Sequence, residues 1–160
     1  MAHRFRFRTL RQGGSRCLSE IPPHEERRLL IFDGLCVICN TGARFVLERD
    51  RQRSIFFAQA QSEKTKPILR KYGISDEDIM RRVAFIDAGE VYRGAAAAVQ
   101  VAKYLKFPWW PLHYGGLLVP SLILEPLYDV VAKRRYQLLG KYDSCKIPTE
   151  AERKQFIDFD

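Results

Sequence analysis

Leu29-Leu30-Ile31-Phe32-Asp33-Gly34-Leu35-Cys36-Val37-Ile38-Cys39-Asn40 is the stretch that decides the fold. Its four consecutive apolar residues, bounded by Asp33-Gly34, read as a buried strand ending in a loop. From Cys39 onward the apolar positions Cys39, Ala43, Val46 and Leu47 recur at helical spacing with polar residues between them, which predicts a helix from near Cys36 to about Asp50. Two cysteines thus fall where a buried strand hands over to a helix.

Working outward, Ser54 to Ala58 (SIFFA) is a second apolar run of strand length. Thr65 to Gly73 then carries a cap residue, an early Pro67 and a terminal Gly, the marks of a helix. Val83 to Ile86 (VAFI), the turn Asp87-Ala88-Gly89 and Glu90-Val91-Tyr92 read as a tight hairpin. Gly94 and the alanines after it open a further helix, with Ala98, Val101, Ala102 and Leu105 expected on its inner face. The order is β-α-β-α-β-β-α, with strands separated by helices implying parallel pairing near the cysteines. With a CxxC after the first strand, this is the order of a thioredoxin-like α/β fold. Leu117 to Leu139 is expected as a helical region appended to that core, covering one face or forming an oligomer contact.

A redox CxxC needs one thiol exposed at a helix N-terminus, where unpaired N–H groups and the dipole favour thiolate, and a second thiol within reach to resolve the mixed disulfide. Cys36 is expected to meet the first demand and attack, and Cys39 to resolve. Val37 and Ile38 carry no charge, so thiolate stabilisation should come from the backbone. Asp33, three residues before Cys36, is either a proton relay for the resolving thiol or a cap for the turn. The competing reading of the dithiol is structural or zinc-binding, in a non-catalytic interaction module. A closed zinc site would need two more ligands, from Cys145, His24, His113 or Cys17, and no second CxxC or HxxxH exists. An aspartate-nucleophile phosphatase would need a second acid at position 35, which is Leu. No glycine-rich phosphate loop, Gly-x-Ser-x-Gly elbow, or flavin or nicotinamide motif occurs. No cofactor is therefore expected, and electrons should come from another thiol system.

The 160 residues, 46% hydrophobic and 12% aromatic, suit one domain with a real core. The net charge of +8 is uneven: residues 1 to 28 hold seven Arg and three Glu, leaving 20 basic and 16 acidic residues for the body. These are mixed along the chain rather than clustered, which argues against nucleic acid as a partner. Four cysteines, at 17, 36, 39 and 145, are too few for a secreted disulfide scaffold, and an intracellular protein with reactive thiols is expected. Residues 1 to 19 contain five Arg and no acid, a composition that suits a mitochondrial or other organelle transit peptide and equally a basic tail. Residues 1–28 are accordingly read as an extension and 29–160 as the domain. Phe107 to Leu124 runs 18 residues without a formal charge, but Pro108, Pro111, Pro120 and Gly115-Gly116 argue against a membrane span. Short buried helices are expected there, with a membrane-surface contact through Trp109 and Trp110 as the alternative.

Asp33, Cys36 and Cys39 make an Asp-x-x-Cys-x-x-Cys motif, and Tyr128 to Tyr136 (YDVVAKRRY), Gly140 and Cys145 form a second signature. In both the chain resembles the DCC family of predicted thiol-disulfide oxidoreductases, over roughly Leu29 to Pro148. The resemblance implies a thioredoxin-like fold and a Cys36/Cys39 redox pair with Asp33 beside it, acting on a disulfide substrate with a thiol electron donor. Two departures from ordinary thioredoxins stand out: the motif is not Trp-Cys-Gly-Pro-Cys, and no proline precedes the strand at Val83. Cys145 is open to three roles, as a third redox thiol, a metal ligand or a packing residue. Arg134, Arg135 and Tyr136 read as a helix C-terminus whose charges complement the dipole, with substrate binding as the alternative.

Overall fold

The computed structural model describes residues 28–144 and 148–158. Along the chain run β1 (Arg28–Phe32), α1 (Val37–Arg49), β2 (Ile55–Gln59), α2 (Lys66–Lys71), α3 (Asp76–Arg81), β3 (Ala84–Asp87), β4 (Glu90–Arg93), α4 (Gly94–Ala102), α5 (Pro111–Leu118), α6 (Ser121–Leu139) and α7 (Glu150–Arg153). The four strands form one sheet in the order β2-β1-β3-β4. β1 pairs parallel with β2 and antiparallel with β3, and β3 pairs antiparallel with β4. This is the α/β, thioredoxin-like core expected from the order of elements, with helices appended at its C-terminal side.

β1 is apolar at every position from Leu29 because both faces of the sheet are covered. Leu29 and Ile31 pack with Ile68, Leu69, Ile74 and Ile79. Leu30 and Phe32 point the other way, onto Ala43, Ala97, Val101 and Leu105. The sheet is thus sandwiched between α2 and α3 on one side and α1 and α4 on the other. The β3–β4 turn is two residues long, with Ala88 at φ 50° and Gly89 at φ 84°, the twist that lets paired strands continue into each other.

Some elements differ from the sequence expectation. α3 is an extra helix, started by Ser75, whose Oγ accepts the Asp78 N–H at 3.1 Å. α4 turns Ala97, not Ala98, onto the sheet, because burial runs Gly94, Ala97, Val101 at one-turn spacing and Ala98 falls outside that stripe. The region from Phe107 to Leu124 is not buried. Of α5 only His113 is enclosed, while Leu118 is 84% and Leu122 85% exposed. α5 reaches α4 through His113 Nδ1 at 2.9 Å from the Val99 carbonyl and through Gly116, and nothing covers its other side among the described residues. Pro120 separates α5 from α6, and the two axes bend by 112°. No single helix among the described residues is long and apolar enough to cross a membrane. Trp109 packs edge-on against Phe45 at 4.9 Å, and Trp110 against Tyr114 at 5.8 Å.

The C-terminal residues also join the sheet, which the sequence did not announce. Phe57 donates its N–H to the Gln155 carbonyl at 2.7 Å and accepts from Ile157 N–H at 3.0 Å, so residues 155–157 cover the outer edge of β2. Phe156 stacks on Phe57 at 5.4 Å.

Candidate functional site

Cys36 is the N-cap of α1. Its backbone is extended (φ −80°, ψ 123°), its N–H donates to the Asp33 carbonyl at 3.2 Å, and its Sγ accepts the Cys39 N–H at 3.3 Å. The sulfur therefore takes one of the donors that a helix start leaves unpaired, an arrangement that favours negative charge on it. Asn40 locks the loop by donating from Nδ2 to the carbonyls of Gly34 and Cys36, both at 2.8 Å.

The two thiols are not exposed in the way the sequence suggests. Cys36 is 0% exposed, whereas Cys39, one turn on, is only half-buried. The cover over Cys36 comes from far along the chain. Lys141 pairs antiparallel with Cys36, and Tyr142 N–H donates to the Leu35 carbonyl at 2.8 Å. Burial, the hydrogen bond with Cys36 and the charge of Cys36 push the Cys39 thiol up to about 12, against the pull of Arg135.

Asp33 directly follows β1 and is 1% exposed. Its Oδ1 accepts the Leu35 N–H at 3.0 Å and Gln61 Nε2 at 2.6 Å, while Gln61 Oε1 accepts the Gly34 N–H at 3.0 Å. Its Oδ2 accepts the Tyr136 hydroxyl and faces Arg135 Nη2 at 3.4 Å. Asp33 thus makes a turn contact, one of the two roles open to it from the sequence, and in addition anchors α6. Burial and the bond to Asp33 push the Tyr136 hydroxyl up to about 12.

Arg135 is the residue that sequence reasoning misplaced. α6 runs on to Leu139, with Gly140 at φ 84° closing it, so Arg135 is not at the helix end, and it is 4% exposed. Its Nη1 lies 3.6 Å from Cys39 Sγ and 3.4 Å from the Arg81 carbonyl, and its Nη2 also donates to the Met80 carbonyl. Its Nε is buried with no hydrogen-bond partner. One guanidinium therefore ties the Cys39 thiol, the Asp33 carboxylate and the backbone before β3 together. The same face of α6 supplies Glu125 and Asp129 to Arg82, at 3.0 and 2.6 Å, and the Tyr128 hydroxyl oxygen to Val83 N–H at 3.2 Å. The signal was present in the sequence as polar residues at 125, 128, 129, 135 and 136, which recur at helical spacing.

Among the described residues, no three His, Cys, Asp or Glu side chains come together as a metal site would require. His24, Cys17 and Cys145 lie outside the described residues, as do the first 27 residues read as a transit peptide or tail.

A cavity of about 390 Å³ opens beside Cys39, between α1, α4 and α6. Its wall is apolar, with Phe32, Val101, Leu105 and Trp109 among its residues, and Arg135 is its one charged residue among those described.

The protein named "Uncharacterized protein YuxK" of Bacillus subtilis (strain 168) is 35% identical over 130 residues, 81% of this chain and 93% of that protein. A DCC family protein of Arabidopsis thaliana, named as chloroplastic, is 34% identical over 123 residues, 77% of this chain and 71% of that protein. No solved structure gives a significant match. The family model for DCC1-like thiol-disulfide oxidoreductases matches residues 30–141, a span that holds both thiols, Asp33, Arg135 and Tyr136. A match over more than half of the chain, with relatives at this identity, makes the protein a member of the DCC1-like thiol-disulfide oxidoreductase family.

Proposed function

We propose that Cys36 and Cys39 are a redox pair that exchanges two electrons with a protein or small-molecule disulfide, drawing on a thiol donor. The observation that carries this is the Cys39 N–H donated to Cys36 Sγ on the first turn of α1, with Arg135 beside the second sulfur. In the oxidised pair, an incoming thiolate reaches Cys39, the more exposed sulfur. A new S–S bond forms there as the Cys36–Cys39 bond breaks, and the electron pair leaves on Cys36 Sγ at the helix N-terminus, where charge is best tolerated. A second thiolate then attacks the substrate sulfur of the mixed disulfide, releasing Cys39, which takes up a proton. Two thiols become one disulfide, and the pair gains two electrons and two protons. Run backwards, the same steps reduce a disulfide. Asp33 acts through position, holding the loop and Arg135.

This order exchanges the roles expected from the sequence, because Cys36 is the enclosed sulfur. Equilibration in glutathione redox buffers, with the free thiols counted by alkylation and mass, should show reversible oxidation of the pair. Cys36→Ser should retain a mixed disulfide on Cys39, and Cys39→Ser should retain none on Cys36. A pair that cannot be reversibly oxidised, or exchange unchanged in both variants, would overturn the reading. The chloroplastic name of the Arabidopsis relative supports an organelle address for the Arg-rich N-terminus, with no support for the mitochondrion in particular. Fusion of residues 1–28 to a fluorescent protein tests it, and a diffuse signal would remove that address.

A further inference from the structure

Resting on that exchange reading, we propose that the cavity beside Cys39 is the substrate pocket, and that it selects a small thiol or disulfide carrying an aliphatic or aromatic group over a polypeptide substrate. Three observations converge on it. The cavity provides about 390 Å³ with an almost wholly apolar wall, the scale of a small-molecule site, and Cys39, the half-buried cysteine of the pair, is part of that wall. The backbone before β3, which Arg135 joins to the Cys39 sulfur, is already taken. Val83 N–H is donated to Tyr128 Oη, and the Met80 and Arg81 carbonyls accept from Arg135. An extended peptide laid along this segment would have to displace α6, because main-chain pairing needs free N–H and C=O groups. Finally, Arg135 lines the cavity and keeps a buried Nε without a partner, a donor left over for an acceptor atom on the substrate.

The bound disulfide presents one sulfur to Cys39 with its apolar group against Val101 and Trp109. Cys39 attacks that sulfur as its thiol gives up its proton, the substrate S–S bond breaks, and the departing thiolate takes up that proton. Cys36 thiolate then attacks Cys39 Sγ, releasing the second substrate thiol from the cavity and closing the Cys36–Cys39 disulfide. Two electrons pass from the pair to the substrate, and a thiol donor of the same class restores the pair by the reverse steps.

The test uses the full chain with the pair reduced, and dipyridyl disulfide and bis(hydroxyethyl) disulfide as probes, each rate divided by that of N-acetylcysteine with the same probe. The aromatic probe should then be favoured by about tenfold or more. Ala132→Phe, which fills the cavity, should abolish that preference. Ala98→Leu, at an exposed position of the same wall, should reduce it without touching the core, so a poorly folded Ala132→Phe protein does not end the test. Normalised rates within twofold of each other, a preference intact in Ala98→Leu, or faster reaction with a peptide disulfide than with either probe would overturn the pocket while leaving the redox pair standing. A pair that no disulfide oxidises would instead overturn the exchange reading on which the pocket rests.

Discussion

Replacing Arg135 with Met separates the two accounts of this residue, a dipole complement at a helix end and a buried partner of Asp33. Met keeps much of the length and apolar stem but removes the charge. Asp33 and Arg135 are 1% and 4% exposed, so the pair is fully enclosed. Removing one partner of a buried ion pair costs about 3–5 kcal/mol, because the other charge is left without compensation. Asp33 retains the Leu35 N–H, the Gln61 amide and the Tyr136 hydroxyl, which favours the lower end, about 3 kcal/mol. For a domain of this size that is a fall in Tm of roughly 6–12 °C. Urea and thermal unfolding of wild type, Arg135→Met and the double variant Arg135→Met/Asp33→Asn would measure it. The double variant should lose less than the sum of the single changes, since the coupling is shared. Arg44→Met is the control: its partner Glu152 lies at 3.3 Å, but Arg44 is on the surface, and the loss should stay below about 1 kcal/mol. An Arg135→Met protein that loses no more than this control would refute the buried-pair account and restore the helix-end one.

Three further outcomes follow from the packing and the thiol chemistry. Phe156→Ala should cost about 3 kcal/mol in urea unfolding, because the ring is buried against Phe57 and Phe32 at the edge of the sheet; a loss under about 1 kcal/mol would mean that residues 155–157 add little to β2. Gly116→Ala places a methyl 2.6 Å from Val99 Cγ2, so it should destabilise by about 1–3 kcal/mol and be largely rescued by Val99→Ala, an absence of rescue counting against the α4–α5 contact. The Cys39 thiol is raised from 9.0 to about 12 in the folded chain, so its stabilising contribution is complete below pH 9 and is lost as pH rises from there toward 12. Relative to Cys39→Ala, wild type should lose at most about 1.4 kcal/mol per pH unit above pH 9, and a difference that stays flat to about pH 10.5 would show the thiol to be unshifted.

The core elements were legible because their signals are local. Leu29 to Phe32 is apolar at every position, which marked a buried strand, and in the structure both faces of β1 are covered inside the sheet. The turn Asp87-Ala88-Gly89 between two strand-like runs marked the hairpin, and Gly89 takes the positive φ, 84°, that its turn requires. Less legible were pieces whose reason lies elsewhere in the chain. Residues 155–157 form no regular element of their own and are fixed by Phe57. α5 is apolar without being buried, so hydropathy, which reports composition and not neighbours, read Phe107 to Leu124 as core.

The site divides along the same line. A spacing of three between Cys36 and Cys39 is a property of one helical turn, and the sequence could place both sulfurs at its start. Which sulfur meets solvent is decided about a hundred residues later, by Lys141 and Tyr142 over Cys36 and by Arg135 beside Cys39, and no window around the motif contains that information. Charge, however, constrains pairs that periodicity cannot. Asp33 directly follows a strand buried on both faces, and Arg135 falls on the same helical stripe as Tyr128 and Ala132, the stripe of α6 that lines the cavity beside Cys39. A carboxylate and a guanidinium that both head for the interior are stable there only when each finds an opposite charge or a full set of hydrogen bonds. In the structure that requirement joins Asp33 to Arg135, and with them brings α6 onto the dithiol.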